Sequence, residues 1–303
     1  MNSRRGMTLL EVTLALGLLA VLSVFVMQVI NSVTDLWSSG ERRGRGDLVF
    51  ATAVERFRGD LSALHRGRRG WFILDTYIAE PEEEGQPAWR LPRLRFLAEG
   101  AALPDLDPTG RHGVEVMWVV EPERSGSNDR LSRLVRYGQL EGDGVGIRDG
   151  GQAERLRRQG DGLVVLDGLL WAEFHAADPI RGGALSERLR IEPNVPVDFP
   201  SRIELLVEGV SGALRVRPPV LDDEISAETI NIRVRGTAPL EQPNYALIER
   251  EWVQLGGNFP QLTLPQRGVR DSIPMPHPAR TPIYMPESHQ AVNPLPGQGR
   301  RQK

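Results

Sequence analysis

The feature that most constrains this chain is a long apolar run close to its N-terminus. The stretch RRGMTLLEVTLALGLLAVLSVFVMQVI, residues 4–30, begins with two arginines, and no charged residue lies between Val12 and Met27. At 1.5 Å per residue, a helix of this length covers a hydrocarbon core of about 30 Å. Glu11 is the exception in the run, because an unpaired carboxylate in hydrocarbon costs roughly 2.5–3.5 kcal/mol.

The run is too long for a secretory signal peptide, whose apolar core has about 7–15 residues and precedes a cleavage site between small residues. No such site follows in QVINSVTDLWSSG. We therefore predict a single-pass membrane span at about residues 8–30. Because Arg4 and Arg5 precede it, the N-terminus is predicted to be cytoplasmic and the C-terminal body exported.

The composition excludes several kinds of functional site. The 303 residues contain no cysteine, which rules out disulfides, zinc–thiolate centres and cysteine nucleophiles. A formal net charge of −3 does not suggest a nucleic-acid partner. The sequence has no zinc-protease helix motif, P-loop or nucleophile elbow. We therefore predict a protein that is not an enzyme and has no cofactor.

A second helical pattern follows the apolar run. A glycine-rich stretch at residues 40–47 is predicted to interrupt the helix, with Asp47 as the cap of the next one. The apolar residues beyond it form one stripe with spacings of 4, 3, 4 and 3: Phe50, Val54, Phe57, Leu61 and Leu64. Asp60 is predicted to lie away from that stripe, which is expected to pack on the protein's own sheet.

From about Trp71 the pattern becomes one of strands and turns. Four segments alternate apolar and polar residues, and their inward positions are predicted to be Val114, Val116, Trp118 and Val120; Leu170, Ala172 and Phe174; Ile203, Leu205 and Val207; and Ile230, Ile232 and Val234. Glu204 and Glu208 are predicted to point outward. Period-two alternation of this kind predicts antiparallel sheets, each with one solvated face.

The C-terminal part of the chain is rich in proline. Nine prolines lie between Pro260 and Pro296. Chain of this composition buries too little apolar surface to offset the entropy lost on ordering. Residues 256–303 are therefore predicted to form a disordered tail.

Two acidic, glycine-containing loops are weak candidates for calcium binding. Asp143 and Asp149 lie in the loop at residues 141–150, and Asp105 and Asp107 lie in DLDPTG. Calcium needs several converging oxygen ligands. Neither loop has the full EF-hand pattern, so hairpin turns are the favoured interpretation.

The start of the chain resembles the prepilin leader of type IV pilins and type II secretion pseudopilins. The matching residues are RRG, then MTLLEV, then the apolar run. The resemblance implies that a prepilin peptidase cuts between Gly6 and Met7 and that Met7 becomes N-methylated. It also implies that Glu11 meets the N-terminal amine of a neighbouring subunit during assembly. The family usually has phenylalanine where this chain has Met7.

Three strand motifs make the body similar to the J-type minor pseudopilin of type II secretion. They are Val135–Arg136–Tyr137, residues 166–170 and residues 200–207. The resemblance implies an α+β, pilin-like fold with a long N-terminal transmembrane and amphipathic helix packed on antiparallel β-sheets. It divides the chain into a leader at 1–6, the helix at 7–66, a periplasmic β-rich domain at 67–255 and the disordered tail at 256–303.

The function implied by the resemblance is that of a minor pseudopilin. Such a subunit lies at the tip of the periplasmic pseudopilus, helps to initiate assembly and supports protein export. The implied localisation is the bacterial inner membrane. The implied partners are the I-, K- and H-type minor pseudopilins, the major pseudopilin, the prepilin peptidase, the inner-membrane secretion platform and exported substrates, with no nucleic acid.

Two alternatives remain open from the sequence. A minor type IV pilin for adhesion, motility or DNA uptake is the closer one. A membrane-anchored periplasmic hydrolase or binding domain belongs to another class of protein, and it would leave Gly6 and Glu11 unexplained.

Overall fold

A computed structural model of the protein describes residues 9–79, 89–123, 131–142, 146–195, 197–209, 218–236, 243–270 and 272–295. The chain divides into two compact units, Met1–Asp47 and Leu48–Lys303.

The described residues contain two α-helices, α1 (Leu9–Ser62) and α2 (Gly150–Gln159), and a short 3-10 helix at Gly100–Ala102. Helix α1 runs without a break through residues 40–47, where the glycines were predicted to interrupt it. A glycine inside a helix costs about 1 kcal/mol relative to alanine. Helix growth is cooperative, so a helix of 54 residues tolerates that cost.

The strands in chain order are β1 (Phe72–Ala79), β2 (Trp89–Glu99), β3 (Gly113–Pro122), β4 (Ser132–Leu140), β5 (Leu163–Ala177), β6 (Leu185–Ser186), β7 (Leu189–Ile191), β8 (Arg202–Gly209), β9 (Val220–Leu221), β10 (Asn231–Arg235), β11 (Tyr245–Ile248), β12 (Glu251–Asn258), β13 (Gln261–Val269), β14 (Ile283–Tyr284) and β15 (Glu287–Pro294). They form two sheets, and each pair of neighbouring strands that the structure describes is antiparallel.

The larger sheet has the strand order β15-β8-β5-β4-β3-β2-β1-β7, and β6 also pairs with β5. Strands β1 to β4 are a meander, in which each strand pairs with the next one along the chain. The smaller sheet has the order β14-β11-β12-β13-β10-β9. The last strand of the chain, β15, therefore returns to the larger sheet and pairs with β8.

The core of the larger sheet lies on both of its faces. Trp118 on β3 contacts Phe57 of α1, with ring centroids 5.1 Å apart. On the opposite face, Glu115 accepts a hydrogen bond from the backbone N–H of Ile147, in the loop before α2. Every residue from Val114 to Glu121 is buried. The predicted solvated face is therefore wrong for this strand, because helix and loop cover both sides of it.

The predicted α+β, pilin-like fold is contradicted, because the protein is mainly β-sheet and has only one long helix in its described part. The sequence patterns identified five of the strands, β3, β4, β5, β8 and β10. They missed short strands such as β6, β7, β9 and β14, because two or three residues carry too little alternation to be recognised. The apolar stripe predicted for residues 50–64 does pack in the core of the larger sheet, where Phe57 and Leu61 are buried.

The predicted disordered tail is also wrong for its described residues. Strands β13, β14 and β15 lie within 256–303. The prediction assumed that this part of the chain buries too little apolar surface to fold. Apolar residues between the prolines are nevertheless buried: Leu262, Leu264, Ile283, Ala291 and Leu295. Residues 296–303 lie outside the described part.

The predicted membrane span at about residues 8–30 is contradicted as well. A transmembrane helix needs about 20 consecutive, mostly apolar residues. Among the residues that the structure describes, no helix reaches the combination of length and hydropathy needed to cross a membrane. The predicted single-pass topology and inner-membrane localisation are therefore wrong on this finding.

Candidate functional site

The first half of α1 carries an unusual surface of exposed apolar side chains, which we call the apolar segment (residues 13–34). Its large apolar side chains are 46–69% exposed: Leu14, Leu16, Leu18, Leu19, Val21, Leu22, Val24, Phe25, Val26, Met27, Val29, Ile30 and Val33. Because a helix turns once every 3.6 residues, these positions cover all its faces. A helix that is apolar all round is normally buried, and exposed apolar patches of this extent mark interaction sites.

Two hydroxyl groups in the apolar segment, on Ser23 and Thr34, bond within the helix. The Ser23 Oγ donates to the Leu19 carbonyl at 2.8 Å, and the Thr34 Oγ1 donates to the Ile30 carbonyl at 2.8 Å. Neither hydroxyl therefore needs a partner outside the helix. The surface suits an apolar neighbour.

The predicted processing residues lie at the edge of the described part. Gly6 and Met7 are outside it. Glu11 is the third residue of α1, and its side chain is not among those described. A carboxylate in the first turn of a helix is favoured by the helix dipole. This position is compatible with the predicted role of Glu11.

The C-terminal end of α1 is fixed to the larger sheet by a buried ion pair. The Asp60 carboxylate is 2% exposed and accepts hydrogen bonds from Arg136 Nε at 2.6 Å and Nη2 at 2.8 Å. It also accepts one from Trp118 Nε1 at 2.8 Å. Arg136 makes a further bond to the Asp105 carboxylate at 2.6 Å. This network joins α1 to β3 and β4.

Burial dominates the electrostatics of Asp60. It raises the pKa of the carboxyl group above its ordinary value, and the hydrogen bonds from Arg136 and Trp118 only partly offset that effect. The sequence prediction placed Asp60 away from the apolar stripe. Its spacing of three from Phe57 and four to Leu64 also fits the stripe, and this was the signal that could have identified it.

The smaller sheet buries a second carboxylate, which the sequence analysis also missed. Glu251 is fully buried and accepts hydrogen bonds from Arg267 Nε at 2.8 Å, from His277 Nε2 at 2.9 Å and from two backbone N–H groups. Burial alone would raise the pKa of Glu251, but the bonds from His277 and Arg267 outweigh it and hold the pKa at about 2. The Nδ1 of His277 lies 3.1 Å from Glu249.

One arginine joins the two sheets. The Arg270 guanidinium, just after β13, lies 4.4 Å from the Tyr245 ring centroid, 4.5 Å from Trp252 and 5.0 Å from Trp171. It also pairs with the Glu208 carboxylate on β8, with one N–O distance of 2.7 Å. Trp171 and Glu208 belong to the larger sheet, and Tyr245 and Trp252 to the smaller one. This arginine clasp explains why Glu208, predicted to point outward, is buried.

The weak calcium candidates have other roles in the described part of the chain. Asp149 caps α2, because its Oδ1 accepts a hydrogen bond from the Gln152 N–H at 2.9 Å. Asp107 accepts bonds from the Thr109 hydroxyl and from the His112 N–H, and these bonds lower its pKa to about 2. Asp143 lies outside the described residues. The described residues include no cluster of three acidic or histidine side chains placed to hold a metal ion.

No protein-family model, curated protein or solved structure matches this chain.

Proposed function

We propose that this chain is a non-enzymatic assembly subunit, a minor pseudopilin of the kind that starts the tip of the type II secretion pseudopilus. The observation that carries the proposal is the apolar segment of α1, which is exposed on all faces. In the proposed assembly, this segment packs against the equivalent helices of neighbouring subunits, including further copies of this chain. The proposal concerns contacts between subunits and includes no membrane span.

The size of the apolar segment supports contacts with more than one neighbour. Covering one of its half-exposed side chains contributes about 1 kcal/mol. The thirteen exposed apolar side chains described above would together contribute roughly 13 kcal/mol. Association costs about 4–15 kcal/mol in lost translational and rotational freedom. Stable packing would therefore need neighbours along most of the segment and around most of its circumference.

The buried ion pair at the C-terminal end of α1 supports an anchoring role for that end of the helix. Asp60 fixes the end of the helix to β3 and β4 by three hydrogen bonds. A helix whose C-terminal end is anchored in its own β-rich body suits a subunit whose helix packs among others. Arg136, one of the residues behind the pseudopilin resemblance, supplies two of the three bonds.

The leader residues complete the proposal. Cleavage after Gly6 would free the amine of Met7, and Glu11 would then have a cationic partner on a neighbouring subunit. A buried carboxylate that finds an ammonium partner sets the register between neighbours, because any other alignment leaves the charge unpaired.

The absence of cysteine from the sequence makes a direct test of the packing possible. Leu18→Cys places one thiol in the apolar segment, and Ile230→Cys places one at a similarly exposed position, 61% against 65%, in the other unit. Under mild oxidation of the full chain, we expect several-fold more disulfide-linked dimer from Leu18→Cys than from Ile230→Cys. Equal amounts from both variants would contradict packing through the apolar segment.

Mass spectrometry tests whether the predicted leader is cleaved after Gly6. When the full chain is produced together with a prepilin peptidase, we expect the mature protein to begin at Met7. A protein that still begins at Met1 in the presence of active peptidase would remove the support that the leader gives to the pseudopilin assignment. The packing of α1 would still be tested separately by the cysteine variants.

A further inference from the structure

The larger sheet ends in two edge strands of very different length. At one edge lies β7, whose three residues leave little backbone open. At the other edge lies β15, whose eight residues all pair with β8 without a bulge. Among the described residues, no strand pairs with the other side of β15. Short length and bulges are common protections of an edge strand against pairing with another molecule, and β15 has neither.

The register of β15 identifies the backbone groups on its open side. The Leu295 N–H donates to the Ser201 carbonyl at 2.9 Å, which continues the pairing of β15 with β8. In an antiparallel pair, alternate residues direct their N–H and C=O groups toward the partner strand. The odd-numbered residues of β15 therefore bond to β8, whereas Ser288, Gln290 and Val292 direct their backbone groups to the open edge. All three residues are exposed.

Prolines limit this open edge symmetrically. Pro286 and Pro294 also have even numbers, and each lies four residues from Gln290. Because proline has no N–H group, the N–H donors of the open edge are those at positions 288, 290 and 292. Reversing the strand direction about Gln290 leaves this set of donors and both prolines in place. The edge is therefore complementary to itself, as a two-fold contact between identical chains requires.

The side chains of β15 do not oppose such a contact. Residues 288–294 include no lysine, arginine, aspartate or glutamate, although charged side chains are another common protection of edge strands. The Ser288 Oγ donates to Glu208 at 3.3 Å, and the Gln290 Nε2 donates to Glu204 at 3.2 Å. The polar groups of these two side chains are thus held by β8, and no like charges would meet across the edge.

Asn293 is a second reason to expect a neighbour at this edge. Its side chain is fully buried, and its Nδ2 and Oδ1 atoms have no hydrogen-bond partner among the described residues. A buried amide without partners is costly. A strand added to β15 would lie about 4.8 Å away and would bring its own polar groups next to Asn293.

We propose that β15 pairs with β15 of a second copy of this chain, in antiparallel register about Gln290. Gln290 then lies opposite Gln290 of the second copy, and Ser288 lies opposite Val292 of the second copy. The outward residues form three hydrogen-bonded pairs, each with two backbone bonds. The contact extends the larger sheet across two molecules. It goes beyond the proposed function, because it uses no residue of the apolar segment.

Single cysteines test both the contact and its register in the full chain. The Cα atoms of a hydrogen-bonded antiparallel pair are about 5.5 Å apart, which suits a disulfide. Under mild oxidation, we therefore expect several-fold more disulfide-linked dimer from Gln290→Cys than from Ser288→Cys or Val292→Cys alone. In the last two variants the Cα atoms of the two cysteines would be roughly 14 Å apart, which is too far for a disulfide. A mixture of Ser288→Cys and Val292→Cys chains should restore the dimer, with one chain of each kind.

A charged substitution tests the contact at its two-fold axis. Gln290→Lys retains a donor for Glu204 and places two like charges opposite each other. When it is added to both chains of the Ser288→Cys and Val292→Cys mixture, we expect cross-linking to fall by roughly fivefold. The matched control is Ile230→Lys, at an exposed position outside the larger sheet, and it should leave the cross-linking unchanged.

The outcomes separate this contact from packing through the apolar segment. Equal cross-linking of the three single variants would overturn the proposal, because it means that the copies meet without this register. Absence of dimer from Gln290→Cys or from the mixture would also overturn it, whatever Leu18→Cys shows. Dimer from Gln290→Cys, with no excess from Leu18→Cys over Ile230→Cys, would support the β15 contact and contradict the proposed packing of α1.

Discussion

The two sheets of this protein each bury a carboxylate against an arginine, but the two carboxylates differ in how completely they are satisfied. Glu251 in the smaller sheet accepts bonds from Arg267, His277 and two backbone N–H groups, and its pKa is lowered to about 2. Asp60, on α1 where the helix packs against the larger sheet, has Arg136 and Trp118, and burial still raises its pKa. A buried arginine is therefore not enough to stabilise a buried carboxylate. The number of further donors decides the direction of the shift.

Glu251 and Asp60 also differ in their structural roles. Glu251 bonds to groups within its own sheet and the segment that follows it, so it stabilises local structure. Asp60 connects elements that lie far apart in the sequence, since Asp60 and Arg136 are 76 residues apart. The Asp60 carboxylate accepts fewer hydrogen bonds than Glu251 does, and it lies where α1 meets the larger sheet. We therefore propose that the Asp60–Arg136 pair fixes the geometry in which α1 meets the larger sheet.

Removing the Asp60 side chain should have the largest effect. Asp60→Ala leaves the buried Arg136 side chain without its main partner and the Trp118 N–H without an acceptor. Breaking a buried pair from one side costs about 3–5 kcal/mol, and urea denaturation should show a loss of this size in the free energy of unfolding. The control is Glu55→Ala, which removes the exposed pair with Arg58 on the same helix and should cost less than about 0.5 kcal/mol. Similar losses for both variants would mean that Asp60 is not an anchor.

Acid should remove the contribution of Glu251. Its pKa is about 2 in the folded protein against an ordinary 4.5, so the unfolded chain binds more protons between these values. The stabilisation is complete above pH 4.5 and is lost as the pH falls toward 2, and it amounts to about 3 kcal/mol. The difference in unfolding free energy between wild type and Glu251→Gln should therefore shrink by about this amount from pH 5 to pH 2. A difference that stays constant across this range would contradict the assignment.

The arginine clasp tests whether the two sheets depend on one another. Arg270→Lys keeps the charge near Glu208 but loses the planar group that lies against the three aromatic rings. A desolvated cation–π contact is worth about 2 kcal/mol, and we expect a loss of this order in urea denaturation. Arg233→Lys, at an exposed position in the smaller sheet, should change stability by less than about 0.5 kcal/mol. If both substitutions have the same small effect, the clasp does not hold the sheets together.

The sequence predicted those parts of the fold that depend on local periodicity. The inward residues Ile203, Leu205 and Val207 of β8 are buried, as the alternation predicts. In β10, the prediction is right for Ile232 and Val234. It fails for Ile230, which precedes the strand and is exposed.

The features that could not be predicted depend on contacts between distant segments. The alternation around Glu208 indicates an outward position, but only the folded chain brings Arg270 and its aromatic neighbours over it. A pocket beside β3 is likewise lined by separate segments, since Glu115 and Gly146 lie 31 residues apart along the chain. The apolar segment of α1 could be identified from hydropathy alone. Hydropathy alone did not distinguish between two kinds of neighbour for that segment, because apolar side chains suit a membrane and a protein helix equally well.

The smallest loss in the free energy of unfolding is expected from an isosteric change at Asp60, and this change tests the difference between Asp60 and Glu251 most directly. Asp60→Asn keeps an oxygen acceptor for Trp118 and removes the charge whose burial is costly, so the loss in the free energy of unfolding at pH 7 should be about 1 kcal/mol, well below that of Asp60→Ala.

Because burial raises the pKa of Asp60 above its ordinary 3.8, the folded protein binds the proton more tightly than the unfolded chain does. The advantage of wild type over Asp60→Asn should therefore be larger at pH 3 than at pH 7, whereas the advantage of wild type over Glu251→Gln should be larger at pH 7. Urea denaturation of the two amide variants at both pH values measures these opposite slopes. Slopes of the same sign would show that the two buried carboxylates are equivalent, and the distinction between a local stabiliser and a less satisfied anchor would then have no physical basis.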